Sequence, residues 1–136
     1  MKTFRLNVSY SQISIFDAEL EQPFNDWTDE HVAQGFAWRP GSVSFATLNP
    51  FGETDVVVAI GKTPPSLLET AVRAIAVPFT VPQHGKVEIS TVEAIGGGCE
   101  YRLQPGAYEL VFVHGVDQVR GQKMWIQLHF DPTPPS

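Results

Sequence analysis

The chain has 136 residues, 43% of them hydrophobic and 11% aromatic, which is room for one domain with its own core and too apolar for a disordered segment. Its formal charge of −6, with nine scattered basic residues of which no two are adjacent, argues against the positive surface that nucleic acids and anionic membranes require. No apolar run approaches the roughly 18 residues of a membrane span. The opening Met1-Lys2-Thr3-Phe4-Arg5 lacks a signal-peptide core and the single Cys99 has no disulfide partner, so a cytoplasmic protein is expected.

Phe4, Leu6, Val8 and Tyr10 alternate with polar residues, the period of a half-buried strand, and Ile13 and Ile15 predict a second. Residues 17–25 carry charge and Pro23 and read as a loop. A short helix is expected over about residues 29–34. Thr28 is its N-cap, Asp29 and Glu30 complement the dipole in its first turn, and Gly35 ends it. Pro40-Gly41 and Asn49-Pro50-Phe51-Gly52 mark turns around a strand that starts at Ser42-Val43-Ser44-Phe45.

Val56-Val57-Val58-Ala59-Ile60 predicts a central strand buried on both faces. Residues 66–75 fit two patterns. Ser66-Leu67-Leu68-Glu69 has capping-box spacing, whereas Ile75, Val77, Phe79 and Val81 alternate. The alternation favours a strand over 71–81, with Pro78 at a sheet edge or bulge. Further strands are expected at 86–92, 100–103, 108–112 and 124–130, with turns at His84-Gly85 and Gln104-Pro105-Gly106 and a loop at Gly96-Gly97-Gly98. Eight or nine short strands and one short helix make this an all-β protein, an antiparallel β-sandwich domain over 1–131 with a flexible tail at 132–136.

The charge is unevenly placed. No Lys or Arg lies between Arg5 and Arg39, an interval that holds Asp17, Glu19, Glu21, Asp26, Asp29 and Glu30, and the rest of the chain sums to zero. Such a run is a solvated surface or an electronegative patch that steers a basic partner. Trp27 and Trp38 bracket the helix, either packing it on a sheet or serving as interface anchors, and Phe36 and Trp38 are spaced to share a strand face.

Reactive constellations are weak. Gly61-Lys62-Thr63 resembles the end of a phosphate loop, but Val56 stands where its first glycine belongs, and Pro64-Pro65 oppose the helix that should follow. Tyr101 breaks the glycine pattern that Gly96 and Gly98 begin. His31, His84, His114 and His129 lack zinc-ligand spacing and read as surface or turn residues, although His114 and His129 lie on separate strands free to meet. Cys99 has no local base, and carboxylate pairs in the acidic run arise by crowding alone. No catalytic residue, cofactor or metal is called for.

Asp26-Trp27-Thr28-Asp29-Glu30, then Gly35-Phe36-Ala37 and Val43-Ser44-Phe45, resemble the competence protein J family. Val77-Pro78-Phe79 and Pro105-Gly106-Ala107-Tyr108-Glu109-Leu110 follow in similar order, so the resemblance spans about residues 6 to 113. It implies a cytoplasmic, non-catalytic protein that binds and blocks a DNA-entry-type nuclease; the charge and the lack of an apolar span argue separately against direct nucleic-acid or membrane contact. The residues expected to face such a partner are Asp17, Glu19, Glu21, Asp26, Trp27, Asp29 and Glu30. A β-sandwich that binds a carbohydrate or small ligand through exposed Trp27, Trp38 or Trp125 is the alternative, and a cleft enzyme using carboxylates or histidines is a third reading.

Overall fold

A computed structural model describes residues 1–8, 10–23, 25–91, 99–117 and 123–133. In chain order the elements are β1 (Lys2–Val8), β2 (Gln12–Asp17), α1 (Asp29–Gln34), β3 (Phe36–Arg39), β4 (Ser42–Ala46), β5 (Gly52–Ile60), α2 (Pro65–Thr70), β6 (Arg73–Val81), β7 (Lys86–Ser90), β8 (Cys99–Arg102), β9 (Gly106–Asp117) and β10 (Lys123–Pro132). The strands form two five-stranded sheets, sheet A in the order β1-β5-β10-β9-β6 and sheet B in the order β3-β4-β2-β7-β8.

Alternation builds the core between the sheets. Val56 and Val58 of β5, Leu110 and Phe112 of β9, and Ile126, Leu128 and Phe130 of β10 bury one face of sheet A. Ile13 and Ile15 of β2, Val43 and Phe45 of β4, and Val87 and Ile89 of β7 oppose them from sheet B. Phe45 stacks on Phe112 with ring centroids 4.3 Å apart, fixing β4 over β9. Such a pair adds about 0.5–1.5 kcal/mol beyond the area it buries. At one edge the Trp38 indole donates from Nε1 to the Pro78 carbonyl at 2.7 Å, tying β3 to β6. At the other, Lys2 Nζ reaches the Glu100 carbonyl at 3.4 Å, tying β1 to β8.

The sandwich is as expected, and Pro78 does lie on an edge strand, since β6 pairs with β9 alone within sheet A. The pairing is antiparallel except between β5 and β10, which run parallel. That exception explains α2. Strands β5 and β6 point the same way and lie at different places in one sheet, so the chain needs a crossover of about a dozen residues between them. Residues 61–72 supply it and carry α2 against β9.

There are therefore two short helices among the described residues, where one was expected. The ambiguous segment holds both of its patterns in succession, α2 and then β6. Pro64 and Pro65 do not oppose this helix. They occupy its N-cap and first position, where a missing N–H costs nothing, and the Ser66 capping box is unused.

Three other expectations are corrected. Strand β5 is buried on its Val56 and Val58 face but only half-covered at Val57 and Ala59, and Ile60 is exposed. It follows the ordinary alternation of a sheet whose outer face is thinly covered. His114 is fully buried and His129 nearly so, not surface residues. The two also cannot meet. His114 stands opposite Ile126 on the core side of sheet A, and His129 opposite Val111 on the outer side. Strand β10 continues through Pro132, whose partner is Tyr108. The Gly96-Gly97-Gly98 loop lies outside the described residues, as do Val92 and residues 134–136 of the tail.

Candidate partner-binding face

The outer face of sheet B carries an unusual set of small polar residues. Ser14 of β2, Ser42 and Ser44 of β4 and Ser90 of β7 point away from the core, yet each is fully buried. What covers part of this face is the acidic stretch after β2. Asn25 donates from Nδ2 to Ser42 Oγ at 3.1 Å and lies 3.2 Å from Ser44 Oγ, and Ser44 bonds Ser14 at 2.8 Å. The Ser42 hydroxyl also donates to the Pro23 carbonyl. Arg39, one residue from the turn after β3, donates from Nε to Asn25 Oδ1 at 2.9 Å and from Nη2 to the Gln22 carbonyl. Short hydroxyls let the covering segment approach closely, and polar groups of Pro23 and Asn25 are satisfied by the sheet beneath.

The strap ends in α1, which spans the expected residues. Thr28 Oγ1 accepts from His31 N at 3.3 Å while His31 Nδ1 accepts from Thr28 N at 3.1 Å, a reciprocal cap in which histidine takes the place usually held by Glu or Gln. Gly35 closes the helix at φ 91°, a conformation that other residues rarely adopt. Trp27 donates from Nε1 to Gln12 Oε1 at 3.1 Å and meets the His31 ring edge-on with centroids 6.4 Å apart. It is half-buried, fastening the helix to β2.

The seven expected residues therefore all lie from the end of β2 to the first turn of α1, though not in one environment. Glu21, Asp26, Asp29 and Glu30 are exposed. Asp17 and Glu19 meet at the start of the strap, where His84 Nε2 lies 2.8 Å from Asp17 Oδ1 and 3.2 Å from Glu19 Oε2. Among the described residues, no lysine or arginine forms an ion pair with any of the six carboxylates. The cations that do pair are on sheet A. Arg5 reaches Asp55 at 3.1 Å and Glu53 at 3.4 Å, and Lys123 reaches Asp55 at 3.2 Å. Desolvation pushes the Asp55 carboxyl up, but Lys123 and Arg5 outweigh it and hold its pKa below the ordinary value.

Two acidic residues that sequence reasoning missed extend this face. Glu88 of β7 and Glu100 of β8 stand directly opposite each other on the outer side of sheet B. Partial burial raises the Glu88 pKa, and the like charge of Glu100 raises it further. Only the strand register brings them together, so spacing alone gave no signal.

The three tryptophans do not line one groove. Trp125 stands opposite Gly115 on the outer side of sheet A, Trp38 bridges the sheet edges, and Trp27 belongs to the strap. No group of three or more potential metal ligands occurs among the described residues. No described helix is long and apolar enough to cross a membrane.

The competence protein J (ComJ) family model matches residues 5–131. The chain belongs to the competence protein J family. A DNA-entry nuclease inhibitor of Bacillus subtilis (strain 168) is 26% identical over 109 residues, covering 80% of this chain and 78% of that one. The crystal structure of ComJ from Bacillus subtilis, described as an inhibitor of the DNA-degrading activity of NucA, superposes with a TM-score of 0.82. It is 20% identical and covers 98% of this chain and 96% of that one. A protein called crocagin biosynthetic gene J shares the fold more distantly, at a TM-score of 0.56 and 14% identity over 95% and 98% of the two chains. The ComJ family thus holds its fold at low sequence identity, and the first block of the resemblance, Asp26 to Glu30, is the part that forms the strap and helix start.

Proposed function

We propose that this ComJ-family chain is a non-catalytic protein that binds a DNA-entry-type nuclease and blocks it, with the Asp17–Glu30 strap as the electrostatic half of the contact. One observation carries the reading. The strap is fastened by hydrogen bonds to the outer face of sheet B, and the arginine beneath it, Arg39, is spent on Asn25 and the Gln22 carbonyl and neutralises none of the carboxylates. Fixed, unpaired negative charge on a rigid support is what a phosphate-binding cleft attracts. Membership of a family with a relative named as a DNA-entry nuclease inhibitor supports the choice of partner.

In this reading Glu21, Asp26, Asp29 and Glu30 steer a basic cleft toward the strap and occupy it where DNA phosphates would lie. Asp17 and Glu19, already engaged by His84, set the start of the strap and contribute less. A ligand-binding module has less support, because the three indoles face different ways. The test is a plasmid-degradation assay with the NucA-type nuclease of the same host. Stoichiometric addition of this protein is expected to stop degradation, and undiminished degradation at a large excess would refute the proposal.

A further inference from the structure

Beside the strap lies an apolar groove of about 330 Å³, lined by Tyr10, Ser11, Gln12, Trp27, Val32 and Ala46. Its volume is at the small end of the ~300–1,000 Å³ typical of ligand pockets, suited to one large side chain rather than a cofactor. Two of its members are conspicuous on a small protein's surface. Tyr10 is 60% exposed and Val32 66% exposed. Val32 is the one large apolar side chain of α1, where a β-branched residue adds nothing to helix stability.

The Tyr10-Ser11 turn adds a second, independent feature. Both residues adopt left-handed backbone conformations, φ 54° and 58°, and they are the non-glycine residues in that region among those described. Asparagine or glycine would sit there at less cost. The turn is nevertheless fixed, because Ser11 N donates to the Pro50 carbonyl at 3.1 Å and the Ser11 carbonyl accepts from Thr47 N at 2.9 Å. A strained turn that holds an exposed tyrosine over a groove fits a binding role better than a packing role.

The charge around the groove selects its occupant. Asp26 adjoins Trp27, and Asp29 and Glu30 occupy the helical turn that leads to Val32. All three are exposed and without a basic partner among the described residues. An aromatic-lined hollow with an acidic border is complementary to an apolar side chain flanked by lysine or arginine. We propose that this groove is the anchor point of the interface, and that it seats such a side chain from the rim of the nuclease's basic cleft. The proposal rests on the nuclease reading and adds to it the groove residues and the chemistry they recognise.

Two substitutions test it against the host's NucA-type nuclease, with binding measured by calorimetry at low and high salt. Val32→Glu adds a negative charge at an exposed helical position, so charge attraction alone would leave binding equal or tighter. Tyr10→Asn removes the ring and suits the left-handed turn, so the fold should be at least as stable. Both variants are expected to melt no lower than wild type and to weaken Kd by about tenfold or more, the scale of an interface hot spot. The loss should persist at high salt, where charge is screened. If wild type binds and both variants bind as well as it does, the groove proposal is overturned and the nuclease reading stands. If wild type itself does not bind, the nuclease reading fails and takes the groove's occupant with it.

Discussion

Arg39 is paired with Asn25, Nε to Oδ1 at 2.9 Å, and with none of the carboxylates on the strap that Asn25 anchors. The arrangement keeps the segment ordered without cancelling its charge. Asn25→Ala removes that acceptor and also the donor to Ser42 and Ser44. Leaving buried polar groups unmatched costs about 1–3 kcal/mol. The expected outcome is a lower urea midpoint together with faster amide exchange over residues 18–28. An unchanged midpoint and unchanged exchange would mean that the strap is held by something else.

His114 makes stability depend on pH. Its Nε2 accepts from Leu48 N at 2.9 Å, so the proton is on Nδ1, which faces the Trp125 carbonyl at 2.8 Å. Burial, with the charge of Arg73 in support, lowers its pKa from 6.5 to about 4, although the Trp125 carbonyl pulls the other way. The unfolded chain therefore binds the proton first. The associated stability is complete above pH 6.5 and is lost as pH falls from 6.5 to about 4. At 1.36 kcal/mol per pKa unit the loss is about 3 kcal/mol. Burial lowers the His129 pKa as well, with the same sign. Denaturation midpoints between pH 7 and 4.5 should decline in wild type and decline less in His114→Gln.

Trp125 lies flat across Gly115, its partner in the β9–β10 register, and a Cβ added there would stand 2.4 Å from the indole Cζ2. Gly115→Ala is expected to destabilise the fold by about 1–3 kcal/mol through overpacking. Combining it with Trp125→Ala should cost less than the two single changes together. Strict additivity in thermal melts would contradict the contact.

Thr54 is fully buried on the core side of β5, and its hydroxyl has no hydrogen-bond partner among the described residues. Thr54→Val keeps the shape and removes the unmatched group, so a gain of about 1 kcal/mol is expected in urea denaturation. A loss would show that the hydroxyl is satisfied in solution.

Much of this was legible in the sequence because the signals were local. Thr28, the acidic first turn and Gly35 define α1, and the alternation of Ile75 to Val81 defines β6. The acidic excess is likewise a property of one stretch. What stayed hidden depends on strands distant in the chain. The parallel pairing of β5 with β10, the opposed Glu88 and Glu100, and the burial of His114 all follow from sheet order. Alternation alone cannot report that a strap covers Ser42 and Ser44 of β4. Tyr10 read as the end of a strand, although it turns into the left-handed region and lines a groove.

The central claim is that unpaired charge on the strap draws in a basic nuclease, and its most direct test is the association rate across ionic strength. Stopped-flow mixing with the host's NucA-type nuclease would compare wild type with Asp26→Asn/Asp29→Asn/Glu30→Gln. Wild type is expected to associate about tenfold or more slowly as salt rises from roughly 0.05 to 0.5 M, with the triple variant slower at low salt and shallower in slope. Equal rates for the two proteins, indifferent to salt, would contradict the claim.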